Sequence, residues 1–196
     1  MILSLFRPKN ANVNARIVDA TFEAIVTAAR QPVLFAHWGI PDTPIGRYES
    51  VSLHLILFLY RTRDADPLVK ALEQDVVDEF FKDIDHSVRE LGVGDAGVPK
   101  RMKKLARMFY GRMGPYWEAL DARDEAALSQ AIARNISPVS DDQKPAIEGA
   151  LLAQYALASV DQLREVTDET ILNGALQFQT VDQLGVTGAQ AGEAGE

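Results

Sequence analysis

The sequence predicts an all-α fold: a single compact multi-helix domain with a flexible C-terminal tail. Three observations carry this. Apolar residues recur at helical spacing in one segment after another. Proline or a short polar residue opens most of these segments and glycine closes several, the punctuation of helix starts and stops. Strand signals are nearly absent, with no sustained alternation of apolar and polar residues and no Asn-Gly or Asp-Gly hairpin turn. A length of 196 residues, 47% hydrophobic and 24% charged, suits one sizeable core and is short for two domains.

Residues 1–13 read as an N-terminal extension, 14–179 as the helical domain and 180–196 as a disordered tail. Asn14 or a neighbouring asparagine caps a first helix, in which Ile17, Thr21, Ala24, Ile25 and Ala28 share a face before Pro32 interrupts it. Pro32 fits the first turn of a short second helix, PVLFAHW, closed by Gly39. The stretch IPDTPIG is a rigid loop, and Arg47 starts the next helix, which buries Leu53 and Leu57 and runs to about Arg63. Asp66 and Pro67 begin a long helix through Leu91, striped by Leu72, Val76, Phe80, Ile84 and Val88, and Gly92 and Gly94 end it. A basic helix follows from Val98, with Pro99 in its first turn, and Gly114-Pro115 breaks or kinks it. Asp121 or Asp124 caps the segment DEAALSQAIARNI, and Ser140 caps the last long helix, SDDQKPAIEGALLAQYALASV. From Thr180 onward glycine and alanine replace large apolar residues, as expected of a mobile tail.

Composition excludes several classes of function. With no cysteine there is no disulfide framework, thiolate metal site or cysteine nucleophile. The opening MILSLFRPKNANVNAR lacks the apolar core and small-residue cleavage site of a secretory signal, so an intracellular protein is expected. The longest apolar run, Val51 to Tyr60, is about half of the ~20 residues that span a bilayer and reads as a core helix. A formal net charge of −8 disfavours nucleic acid as a bulk ligand, and no DNA partner is expected.

Against that acidic balance, cations concentrate in VPKRMKKLARMFYGR. With about 100° of rotation per residue, Lys100, Lys103, Lys104 and Arg107 share one arc, with Arg101 and Arg112 at its margin. Met102, Leu105, Phe109 and Met113 lie opposite. One face packs while the other presents charge, an arrangement suited to phosphates, a lipid headgroup layer or acidic loops of a protein. The loop before it, LGVGDAG, lacks the spacing of a phosphate-binding loop and supplies instead a tight connection between helices.

Catalytic constellations are weak. His37, His54 and His86 are scattered, and His54 lies in an apolar stretch that suits a core histidine. Glu79, Asp83 and His86 fall on one helix face and resemble half of a di-iron bundle site, which needs a second Glu-x-x-His copy that this chain lacks. A helical metal-dependent enzyme built on those three residues is therefore the weaker alternative, and no metal or organic cofactor is expected. No G-x-S-x-G elbow exposes a nucleophile.

Two blocks carry a family resemblance. The first is Gly39-Ile40-Pro41-Asp42-Thr43, Gly46-Arg47, Leu53-His54 and Arg61. The second is Asp85, Arg89-Glu90, Gly92-Val93-Gly94-Asp95, Val98, Lys100-Arg101, Lys104 and Phe109-Tyr110-Gly111-Arg112. In order and spacing they resemble the ubiquinol-cytochrome c chaperone family, from roughly Phe22 to Ile136, more weakly beyond, and not after about Phe178. The resemblance implies a non-enzymatic assembly factor for the cytochrome bc1 complex. Its implied client is newly made cytochrome b or an early assembly intermediate, and its implied helper a small co-chaperone. Lacking a transit peptide, the chain looks like a bacterial member, peripheral at the cytoplasmic face of the inner membrane. A membrane- or ribosome-docking module reading anionic groups through the basic helix is the other reading. The two loops at the centres of the blocks are expected to lie together and frame the working surface. Asp42, Arg47 and Asp95 are its candidate polar residues, equally suited to loop-anchoring ion pairs, and Phe35 and Trp38 are candidate exposed aromatics for an apolar segment.

Overall fold

The computed structural model describes residues 11–136 and 148–180. Among these residues all regular structure is helical, in eight helices: α1 (Ala11–Ala29), α2 (Pro32–Ala36), α3 (Pro44–Thr62), α4 (Pro67–Glu90), α5 (Val98–Ala122), α6 (Glu125–Ile136), α7 (Gly149–Glu165) and α8 (Asp168–Leu172). Ser140 and the expected tail from 181 onward lie outside the described residues, but α7 begins at Gly149 with Glu148 at its N-cap position, so Ser140 does not cap it as expected. α1 begins at Ala11, so Asn14 sits inside the helix and does not cap it.

The centre of the bundle is α3, which touches α1, α4, α5, α6 and α7. Every residue from Ser52 to Tyr60 is buried, because a helix surrounded by neighbours must be apolar on all sides. The run VSLHLILFLY is thus a core helix, and no described helix is long and apolar enough to cross a membrane. Its histidine, His54, is fully buried. His54 Nδ1 donates to Ser50 O at 2.7 Å, and Nε2 accepts from the Tyr155 hydroxyl at 2.9 Å. That hydroxyl in turn accepts from Gln31 Nε2 at 3.1 Å, and the ring of Phe178 packs edge-on against the imidazole. One neutral imidazole therefore joins α3 to α7, to the α1–α2 link and to the C-terminal segment.

Arg61 fastens the same segment from the other end of α3. Its Nε donates to Leu163 O at 2.9 Å, and its Nη2 donates to Val166 O at 2.6 Å and to Asp168 Oδ1 at 2.8 Å. The guanidinium adds a second donor to Leu163 O, which also accepts from Val166 N at 3.2 Å, and holds the Val166 carbonyl just past the end of α7. α8 was not expected; it is one short turn capped by Thr167, whose hydroxyl accepts from Thr170 N at 3.2 Å.

Two proline-based expectations change. α3 starts at Pro44, three residues before Arg47, with Thr43 Oγ1 accepting from Gly46 N at 3.1 Å. Proline needs no N–H partner in a first turn, so the second proline of IPDTPIG opens the helix and does not prolong the loop. α5 runs unbroken through Pro115 to Ala122. A proline inside a helix forfeits one hydrogen bond, a cost of about 3 kcal/mol. Tyr116, Ala119 and Leu120, buried beyond it, offset this by packing into the core. Asp124 is the cap of α6, accepting from Ala127 N at 2.9 Å.

Gly46 is irreplaceable for a reason of space. A Cβ there would stand 1.9 Å from the Pro41 carbonyl oxygen, and the obstacle is backbone. Gly46→Ala should lower stability by about 2–3 kcal/mol, the upper range of overpacking costs, measurable as a drop in the urea midpoint. A change under 0.5 kcal/mol would mean that the loop yields freely.

Candidate functional site

Side chains of α5 separate as its phase dictates. Leu105 and Phe109 are buried, while Lys100, Arg101, Lys103, Lys104 and Arg107 are exposed. Among the described residues none of these cations meets a carboxylate. Elsewhere arginines are largely paired: Arg47 with Asp42, Arg61 with Asp168, Arg63 with Asp121, Arg89 with Asp85, Arg123 with Asp161. In a chain with 28 acids against 20 Lys and Arg, an unpaired basic ridge is a property of this helix.

Arg112 does not belong to that ridge. It is buried, and its Nη2 donates to Glu49 Oε1 of α3. Helical phase explains this: at ~100° per residue Arg112 lies about 20° from Leu105, on the packed side. Burial pushes the Glu49 carboxyl up, to about 7, while the Arg112 charge and hydrogen bond pull it down. Glu49 Oε2 and Arg112 Nε have no hydrogen-bond partner among the described residues. This pair was missed in sequence; its one signal was a glutamate and an arginine at core phase in two apolar helices.

The two loops do lie together. Thr43, Pro44 and Ile45 of the first and Leu91 and Val93 of the second line one cleft of about 640 Å³. Its floor includes Tyr48, Val51, Phe80, Ile84, Val88 and Leu105. The Tyr48 hydroxyl donates to Leu105 O at 2.7 Å, tying α3 to α5 beneath it. Ile45 and Leu91, 44% and 57% exposed, stand on its rim as unusually bare apolar side chains. Gly92, with φ of 80°, turns the chain out of α4 and leaves Leu91 at the edge.

Asp42 and Arg47 form an exposed ion pair at 2.7 Å, and the arginine lowers the Asp42 carboxyl through its hydrogen bond. Asp95 accepts from Arg89 Nη1 at 2.5 Å, while Arg89 Nε donates to Asp85 at 2.6 Å. Both acids thus anchor their loops. Phe35 is half-buried and lines the cleft, but Trp38 is only 2% exposed, edge-on to Tyr155. The expectation of an exposed Trp38 is corrected: Gly39 and Ile40 turn the chain so that the indole enters the core.

The Glu79, Asp83 and His86 cluster disperses. Lys82 donates to Glu79, and His86 Nε2 contacts Glu90 at 3.1 Å. Among the described residues no three His, Cys, Asp or Glu side chains converge as metal ligands.

These features define a helical protein with a basic ridge beside an apolar cleft. The family model described as ubiquinol-cytochrome C chaperone matches residues 36–178, and the chain belongs to that family. It is also similar to a solved crystal structure of the Cbp3 homolog from Brucella abortus. The two share 51% sequence identity at a TM-score of 0.80, over 93% of this chain and 99% of the other. A comparison with curated proteins returns no match.

Proposed function

We propose that this protein is a non-enzymatic assembly factor that binds newly made cytochrome b and supports assembly of the cytochrome bc1 complex. In this reading it works at the cytoplasmic face of the inner membrane, together with a small co-chaperone. The observation that carries it is the unpaired ridge of Lys100, Lys103, Lys104 and Arg107 beside the loop-framed cleft, in a member of the ubiquinol-cytochrome C chaperone family. A client with exposed apolar surface and anionic surroundings calls on both features.

Reversing Lys103 and Lys104 to glutamate tests it. Both are exposed and meet no carboxylate among the described residues, so stability should change by no more than about 0.5 kcal/mol. In a strain lacking the native copy, the variant should accumulate normally and leave cytochrome b unassembled. Wild-type association should weaken as salt rises, since exposed charges are screened over roughly 8–10 Å. Full bc1 assembly with the folded double variant would overturn the assignment of the ridge.

A further inference from the structure

The cleft extends beyond its deep part. A second hollow of about 600 Å³, lined by Arg30, Pro32, Phe35, Ala36, Asp42 and Arg47, adjoins it and shares Arg30, Phe35, Asp42 and Arg47 with it. Together they make an elongated trough, a shape that suits a length of chain better than a compact ligand. Its charges are asymmetric. The α4 wall carries Asp83 and Glu90, the second hollow Arg30 and the Asp42–Arg47 pair, and the α5 end Arg101 with Lys100 and Lys104 beside it; these last three meet no carboxylate among the described residues.

The start of α5 adds to this asymmetry. Gly97 offers no side-chain cap, and the first turn contains no acidic residue. Lys100 and Arg101 therefore stand at the positive end of a 25-residue helix, where cations are disfavoured. The isolated fold gains nothing from them there. Carboxylates brought from outside would meet cations that have no carboxylate partner among the described residues.

We propose that the trough receives a polypeptide segment joining an apolar stretch to a run of carboxylates. The apolar side chains lie over Tyr48, Ile84 and Val88 between Ile45 and Leu91, and the carboxylates sit against Lys100, Arg101 and Lys104. This deepens the assembly-factor reading and rests on it only for the identity of the client. Charge complementarity selects the occupant: a neutral apolar segment leaves the α5 cations unanswered, and a basic one is repelled by them.

The test uses the full chain and three labelled synthetic peptides of equal length, followed by fluorescence anisotropy. One carries leucines and glutamates, one has lysines for the glutamates, and one has serines for the leucines. Only the first should bind well. The Ile45→Glu/Leu91→Glu and Lys100→Glu/Arg101→Glu variants should each weaken it by about tenfold or more, a change of about 1.4 kcal/mol per decade. The Lys100→Glu/Arg101→Glu variant should also melt about 2–4 °C higher than wild type, because acids suit a helix start. That rise separates lost binding from lost folding. Equal binding of the lysine peptide would overturn the proposal. So would indifference to both double variants, or capture by phosphatidylglycerol vesicles with no peptide binding. Failure of peptide binding alongside normal client co-purification would sink this inference and leave the assembly role standing. Peptide binding with bc1 assembly intact in a deletion strain would do the reverse.

Discussion

Replacing Arg112 with methionine should destabilise the protein by about 3–5 kcal/mol near pH 8, the cost of leaving a buried charge without its partner. Glu49 and Arg112 are 3% and 8% exposed at their side chains, so water cannot take over for a missing partner. The loss should depend on pH in a definite sense. Burial raises the Glu49 carboxyl to about 7 in the folded protein, above its ordinary value of 4.5. A raised acid contributes stability fully below pH 4.5 and loses it as pH rises through 7. Without Arg112 the carboxyl rises further, so the deficit relative to wild type should be greatest at pH 8 and clearly smaller at pH 5, where Glu49 is protonated. The Glu49→Gln/Arg112→Met double variant should recover much of the loss. Urea denaturation of the three variants at both pH values decides it. A single-variant loss under 1 kcal/mol at pH 8, or no recovery in the double variant, would show that the pair is not a coupled buried unit.

The second large effect is acid sensitivity through His54. Burial lowers this imidazole from 6.5 to about 4, with the Ser50 carbonyl opposing the shift. The unfolded chain therefore takes up a proton between pH 6.5 and pH 4 that the folded chain refuses. Stability from this group is full above pH 6.5 and falls on acidification, by about 3 kcal/mol on reaching pH 4. A charged ring would also present an N–H to the Tyr155 hydroxyl, which must then give up its own donation. His54→Gln should be less stable at pH 7.5, having lost ring packing against Phe178, yet its stability should fall less between pH 7.5 and pH 5. Parallel pH profiles for the two proteins would exclude His54 as the source.

The helices were largely legible because apolar periodicity and buried faces are the same fact seen twice. α3 announced itself as a central element by being apolar all round, and the α4 stripe of Leu72, Val76, Phe80, Ile84 and Val88 is buried throughout. The adjacency of the two loops was legible only through the resemblance, since no local pattern brings Thr43 beside Val93. Residues whose chemistry and position disagree were misplaced. Arg112 was grouped with cations by type although its phase is that of the core. Trp38 was read as exposed because a short helix has no periodicity to fix its face. Pro115 reads as a break or a kink by local rules, and the helix continues through it because the packing on both sides is a tertiary contribution those rules do not contain. Arg61 as a helix-end clamp left no signal, its acceptors being backbone carbonyls about a hundred residues away.

That clamp and the Phe178 contact impose an order of events on synthesis. The trough and the ridge are made by residues between Ala29 and Arg107, whereas the groups that close the core over His54 and Arg61 come from α7, α8 and Phe178. A chain emerging N-terminus first exposes its binding elements well before it can complete the scaffold that holds them. Loss of the last described stretch would thus act at a distance, opening the far side of α3 while leaving every residue of the trough in the chain. Released fragments ending before Tyr155 should be digested readily by protease, and those extending past Phe178 should resist.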